Sequence, residues 1–248
     1  MPIILPWKPI NMWRGGAGGA PAEVKFSTTE TGSVSVGFRG TNGKSVFVDA
    51  GDGTPLEEIA LLGISTPCPW NHDYSGLPGI KYIGVYGDLI DVLLFTISNI
   101  EISGDLSNFR ALKNCLYAYL WNSAGLIGDW SQLEFISPIE IYLSNSGITG
   151  NINIINRWPT LGVLYLNNTD MTYTTPDEGL TTRSGDNLQM DSCGLDSSEV
   201  DQFLIDAAAA SWSSNTIALA GTNEARTSES DDALIALVLL GNAITVNE

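Results

Sequence analysis

The chain has a single histidine, so any Ser-His-Asp or Cys-His centre would have to use it. That residue lies in Cys68-Pro69-Trp70-Asn71-His72-Asp73-Tyr74. Cys68 and His72 could supply two metal ligands, but no Cys-x-x-Cys pair and no second histidine completes a set. Asp49 and Asp52 flank Gly51, a pattern open to calcium binding or to a carboxylate pair for glycoside hydrolysis. The full D-x-D-x-D-G loop with a distal Glu is missing, and Asp beside Gly is the ordinary chemistry of a tight turn. Gly15-Gly16-Ala17-Gly18-Gly19 lacks the Gly-Lys-Ser/Thr ending of a phosphate loop. These residues predict no catalytic residue, no metal and no cofactor, and a protein that is not an enzyme.

Composition narrows the partners. The chain has 248 residues, a formal net charge of -17 and only 16% charged residues. Phosphate binding needs clustered Lys and Arg, so nucleic acid is excluded as a partner, and anionic membrane surfaces are disfavoured. From Asp170 to Glu248 fourteen acids face only Arg183 and Arg226. They read as helix caps and a solvated face. The most apolar run, Ala233 to Leu240, is too short to span a bilayer, so no membrane insertion is expected. Met1 to Trp13 has no leading basic region and is broken by Pro2, Pro6 and Pro9, which argues against a secretory signal. Cys68, Cys115 and Cys193 are far apart and odd in number, so no disulfide framework is expected and a reducing site of synthesis fits.

The elements that must position any site fall into three zones. Residues 1–22 form a Pro/Gly-rich arm that can be neither helix nor central strand. It is apolar all the same, with Ile3, Ile4, Leu5, Trp7, Ile10, Met12 and Trp13, whereas a free linker should be polar. It either anchors the protein to another assembly component or packs back on its own domain. Residues 23–78 predict a small β cap and connector. Val24 to Phe26, Ser33 to Phe38 and Ser45 to Asp49 alternate apolar and polar, with turns expected at Thr31-Gly32 and Asn42-Gly43. The stretch Val46 to Thr54, ending Gly51-Asp52-Gly53-Thr54, resembles the GDGT turn of polycystic-kidney-disease-type β modules. It also resembles short β segments that precede repeats in bacterial and phage surface proteins.

Residues 79–248 repeat. Segments beginning at Phe95, Tyr119, Ile141 and Leu164 carry apolar residues at the first, third and eighth positions. They end at 104, 128, 150 and 173, and the frame continues at Leu188, Ile217 and Ile244. The pattern resembles the leucine-rich-repeat family, with L-x-L strands at 20–29-residue spacing. Ile148-Thr149-Gly150-Asn151-Ile152 is similar to its plant-type variant, and Trp158-Pro159-Thr160-Leu161 to its lead-in. The family's inward asparagine is replaced by Ile100, Ala124, Ser146, Thr169 and Cys193. The resemblance implies an α/β repeat solenoid with an N-terminal β cap and helix-containing C-terminal repeats. Asp196-Ser-Ser-Glu199 has capping-box spacing before a helix over Val200 to Ser211. A second helix over Ala233 to Leu240 has Gly241 as its stop.

In this frame Thr96, Leu120, Tyr142, Tyr165 and Gln189 point outward, between rows containing Leu94 and Val163 on one side and Asn122 and Asn167 on the other. Leu94, Thr96, Leu120, Tyr142, Val163, Tyr165, Asn122 and Asn167 are the expected partner-binding residues. Rigid aromatics beside amides and hydroxyls suit a protein or glycan. A one-residue register slip would exchange Leu120 with Tyr119 and Trp121. The resemblance, with the arm and the GDGT cap, implies a bacteriophage virion component made in the host cytoplasm. The arm would join another virion protein and the solenoid face would meet a host surface molecule. Alternatives are a structural decoration or fibre subunit, a homo-oligomer, a glycan-cleaving adhesin, or a protein of the bacterial surface or cytoplasm.

Overall fold

The structure, a computed structural model, describes residues 24–97 and 100–248. The arm residues Ile3, Ile4, Leu5, Trp7, Ile10, Met12 and Trp13 lie outside these. The N-terminal part is antiparallel: β1 (Val24–Thr28), β2 (Ser33–Asp49), β3 (Glu57–Asp73) and β4 (Lys81–Gly87). β4 pairs with both β1 and β2, and among the described residues β3 pairs with β2 alone. No turn forms at Asn42-Gly43. β2 runs on through them, and its pairing with β3 shifts register between Phe38 and Lys44. The exposed Asn42 and Gly43, with Gly43 at φ 81, form an irregularity within the strand.

Beyond β4 the chain winds in coils, each laying down two strands in the first four. One set is β5 (Val92–Thr96), β7 (Tyr117–Tyr119), β9 (Glu140–Tyr142), β11 (Val163–Tyr165), β13 (Asn187–Gln189), β14 (Thr216–Leu219) and β15 (Ala243–Val246). These pair in parallel and form ladder one. The other set, β6 (Ile102–Asp105), β8 (Ser123–Asp129), β10 (Ser146–Asn151) and β12 (Asp170–Thr172), forms parallel ladder two. β1 pairs with β6 and β2 with β5, so the N-terminal strands join the two ladders into a single 15-stranded sheet.

This corrects the expected α/β solenoid: the fold is an open, mixed β-sheet, predominantly strand. The reason is local. Two strands consume much of each coil of 22 to 24 residues, and the second strand runs straight into a short 3-10 turn. Leu106–Phe109, Trp130–Gln132 and Ile152–Arg157 are such turns. Asp105, Asp129 and Asn151 each accept the backbone N–H two residues on, which favours the tight turn over a longer helix. Only α1 (Ser197–Ala209) and α2 (Asp231–Leu239) are α-helices among the described residues. α1 starts with the reciprocal Asp196–Glu199 capping box and buries Val200, Phe203, Leu204 and Ala207. The buried Asp201 carboxylate accepts hydrogen bonds from Thr227 and Ser230, tying α1 to the segment that enters α2.

The core runs unbroken along the coils. Phe95, Ala118, Ile141, Leu164, Leu188 and Ile217 form one inward row, and Ile97, Leu120, Leu143, Leu166, Met190 and Leu219 a second. Trp130 and Trp158 meet edge to face at 5.6 Å beneath them. No helix among the described residues is long and apolar enough to cross a membrane.

Candidate functional site

The side chains between the inward rows of ladder one face away from the core. Register places Leu94, Tyr117, Glu140, Val163 and Asn187 in one outer row. Thr96, Tyr119, Tyr142, Tyr165 and Gln189 form the next. Leu120 is thus corrected. It is buried in the inward row, and Tyr119 takes the outer position beside Tyr142. Volume decides this register. Ala118 fits the interior between Phe95 and Ile141, whereas Tyr119 and Trp121 would overfill it. The run Tyr117-Ala118-Tyr119-Leu120-Trp121 carries that signal, with a small residue alternating against large aromatics.

Five aromatic residues therefore share the outer face. The Tyr142 and Tyr165 rings stack at 4.5 Å and 14°. Tyr119 lies 4.6 Å from Tyr142 on its other side. Trp121 is 5.9 Å from Tyr142, and Tyr117 is 6.5 Å from Tyr119. The tips are fixed as well. Tyr119 Oη donates to Glu140 Oε2 at 2.6 Å, Asn187 Nδ2 donates to Tyr165 Oη at 3.1 Å, and Gln189 Nε2 donates to Asn187 Oδ1 at 2.6 Å. Burial and the Glu140 carboxylate push the Tyr119 and Tyr142 phenols up, so both stay neutral at physiological pH. The half-buried rings hold fixed positions before any partner arrives.

The third outer row runs Trp121, Ser144, Asn167 and Asp191, as the hydrogen bonds between Asn122 and Ser144, Asn145 and Asn167, and Asn168 and Asp191 require. Trp121 Nε1, Ser144 Oγ and Asn167 Oδ1 are buried and have no hydrogen-bond partner in the protein. Each such atom costs about 1–3 kcal/mol, a penalty that native folds ordinarily avoid. The three follow ladder-one strands on consecutive coils and lie beneath the surface beside the tyrosines.

Next to them the chain turns. Asn122, Asn145 and Asn168 all adopt φ near 57, a left-handed conformation that Asn tolerates. Their side chains form an exposed ladder: Asn145 Nδ2 donates to Asn122 Oδ1 and Asn168 Nδ2 to Asn145 Oδ1, both at 2.7 Å. Asn122 thus belongs to a row of its own, one step past Asn167. The inward position after the second ladder-one strand holds Ser123 in place of the expected Ala124. Ser146 and Thr169 cap carbonyls there, and a buried Asn223 fills the corresponding place in a late coil.

Of the remaining expected residues, Leu94 is 7% exposed and so largely covered, while Thr96 and Val163 are half-buried in the outer rows. The face therefore narrows to Tyr117, Tyr119, Trp121, Tyr142 and Tyr165 with the polar row beside them.

The chemistry-bearing residues near the N-terminus lie elsewhere, on β3 and the turn after β2. His72 Nε2 is 2.7 Å from Asp52 Oδ2, and its ring stacks on Trp70. Asp49 and Asp52 accept the backbone N–H groups of Gly51 and Thr54, so both carboxylates close their own turn. Gly51 is required there. At φ 73 it packs so tightly that a Cβ would meet the Tyr82 carbonyl. Burial pushes the Asp52 carboxyl up, but hydrogen bonds from Thr54 and His72 outweigh it and bring it down to about 2. The two cysteines of the coils, Cys115 and Cys193, are buried thiols that burial pushes up, Cys115 to about 12 and Cys193 to about 11. Comparison with protein families, with curated proteins and with solved structures finds no match to this chain.

Proposed function

We propose that the chain is a non-enzymatic recognition protein whose outer face on ladder one binds a host surface protein or glycan. One observation carries this reading: a row of stacked tyrosines, tethered at Tyr119 and Tyr165, lies on adjacent strands of a parallel ladder. Rigid tyrosines give contact area at little entropic cost. Glu140 and Asp191 border the row and the net charge is -17, so the partner is neutral or basic and not polyanionic. The setting that fits is a bacteriophage virion, assembled in the host cytoplasm, with the protein attached through its N-terminal arm.

The test is retention of the purified protein on intact host cells. Replacing Tyr142 and Tyr165 together by Ser should weaken retention at least tenfold, with the fold kept as judged by circular dichroism. Retention equal to the parent chain would overturn the reading. The alternative of a fibre subunit that mainly holds its neighbours has an observation of its own, in the last coil.

A further inference from the structure

The last coil leaves an apolar face bare. In α2 only Leu237 is buried, while Ile235 is 59% exposed and Leu239 81%, with Val238 and Leu240 exposed beside them. Among the described residues β15 pairs with β14 alone, which leaves its other edge without a strand partner there. Acids surround this face. Glu229, Asp231, Asp232 and Glu248 stand exposed, and the one nearby cation among the described residues, Arg226, is tied to Asp231 and Glu248. Exposed apolar patches with a charged rim mark docking sites, and open strand edges in native proteins are ordinarily covered or blunted.

The arm has the complementary chemistry. Residues 1–22 carry eight large apolar side chains with Lys8 and Arg14, and contain no acid. Pro2, Pro6 and Pro9 keep it from adding a long regular strand, so its side chains would supply the contact. The arm leads into β1, while the bare face lies at the far end of ladder one. β1 pairs with β6, in the same coil as β5, and from β5 to β15 there are six strand steps, so the arm's entry lies beyond about 29 Å from the bare face. For Trp13 to reach it, the ten residues between Trp13 and Val24 would have to be almost fully extended, at roughly 3.3 Å each, so only the more distal part of a chain's own arm could seat there. A neighbouring copy's arm needs no such traverse.

We propose that the arm of one copy docks on the α2–β15 end of the next, so that copies join head to tail. Such a contact uses two different surfaces, and wherever its rotation does not close a ring it yields an open chain of copies. One terminal copy keeps a free arm, available to join the rest of the particle. The inference rests on the arm being an assembly element and is independent of the tyrosine face.

Size-exclusion chromatography with light scattering tests it, using the full chain, a chain lacking residues 1–22, and a Val238→Asp/Leu239→Asp variant. The mass of the full chain should rise with concentration above that of one copy, and each variant should stay a single copy. An equal mixture of the two variants should form a two-copy species and nothing larger, since one supplies the face and the other the arm. Ile235→Lys, on the same face, replaces the double variant if that one unfolds. A full chain that stays single at all concentrations, a deletion that assembles like the parent, or a mixture that stays single would each overturn the proposal. The Tyr142→Ser/Tyr165→Ser chain should assemble as the parent does, which separates failure here from failure of the recognition reading.

Discussion

Ladders one and two are built from the same coils and share one core, yet their outer surfaces differ. Ladder one presents Tyr117, Tyr119, Tyr142 and Tyr165, stacked and tethered. Ladder two presents mainly small or polar residues, with Ile127 the large apolar side chain exposed among them. Gly104, Gly125, Gly147 and Gly150 lie in its strands, and its pairing shifts register between Ser146 and Gly147. Asp105, Asp129 and Asn151 at its strand ends turn the chain into the next segment. One ladder is given to presentation and the other to turning. Stacking constrains the interior of both alike, so only the outer rows are free to diverge.

The largest effect should come from the shared interior. Trp130→Ala removes a fully buried ring that packs on Trp158 and donates to the Asn151 carbonyl, and should cost about 3–5 kcal/mol in urea unfolding. Both ladders should be lost in one transition; two separable transitions would break the idea of a common core. Gly150→Ala comes next. Gly150 has φ 132, and a Cβ there would sit 2.6 Å from the Trp130 ring, so a loss of about 2 kcal/mol is expected. On the outer face of ladder one, Gln189→Ala should cost under about 0.5 kcal/mol. Equal losses at the two positions would erase the distinction between the ladders.

A pH-dependent effect belongs to the strands that bridge them. Asp52 sits lower folded than unfolded, so its contribution to stability is complete above about pH 4 and disappears as pH falls toward 2. Asp52→Asn should flatten the acid-side loss of thermal stability across that window. An unchanged acid limb would show that the Gly51–Thr54 turn contributes nothing to holding the bridge.

How far each feature is legible in the sequence depends on how strictly it is constrained. The coil period is legible because each inward Leu or Ile must fall on its neighbour one coil away. Both α-helices are legible for the same kind of reason, through the capping spacing at Asp196 and the stop at Gly241. Ladder two is not, because Ser-Gly-Asp stretches such as Ile102 to Asp105 have turn composition and pair only through tertiary context. Reading those stretches as turns inflates the expected helix and leads to an α/β architecture in place of a sheet. β3 is hidden differently. Pro67 and Pro69 deny it strand character, yet it pairs on one side only, where proline is tolerated. The binding face is half legible. Alternation places Tyr142 and Tyr165, while Tyr119 and Trp121 need the volume of Ala118 to fix the register. The unpaired Trp121, Ser144 and Asn167 atoms leave no trace, since satisfaction of hydrogen bonds is a property of packing.

The asparagine ladder has a bearing on how such a molecule could change length. Asn122, Asn145 and Asn168 are separated by 23 residues and bond to one another through identical groups. Excising residues 123–145 would bring Asn122 against Asn168 with the same amide-to-amide bond. It would also shorten both ladders by one strand and set Tyr119 beside Tyr165. Gain or loss of a whole coil is therefore a nearly silent event for the fold, while it resizes the aromatic strip by one rung. Any change that is not a whole coil would shift the register of both ladders together.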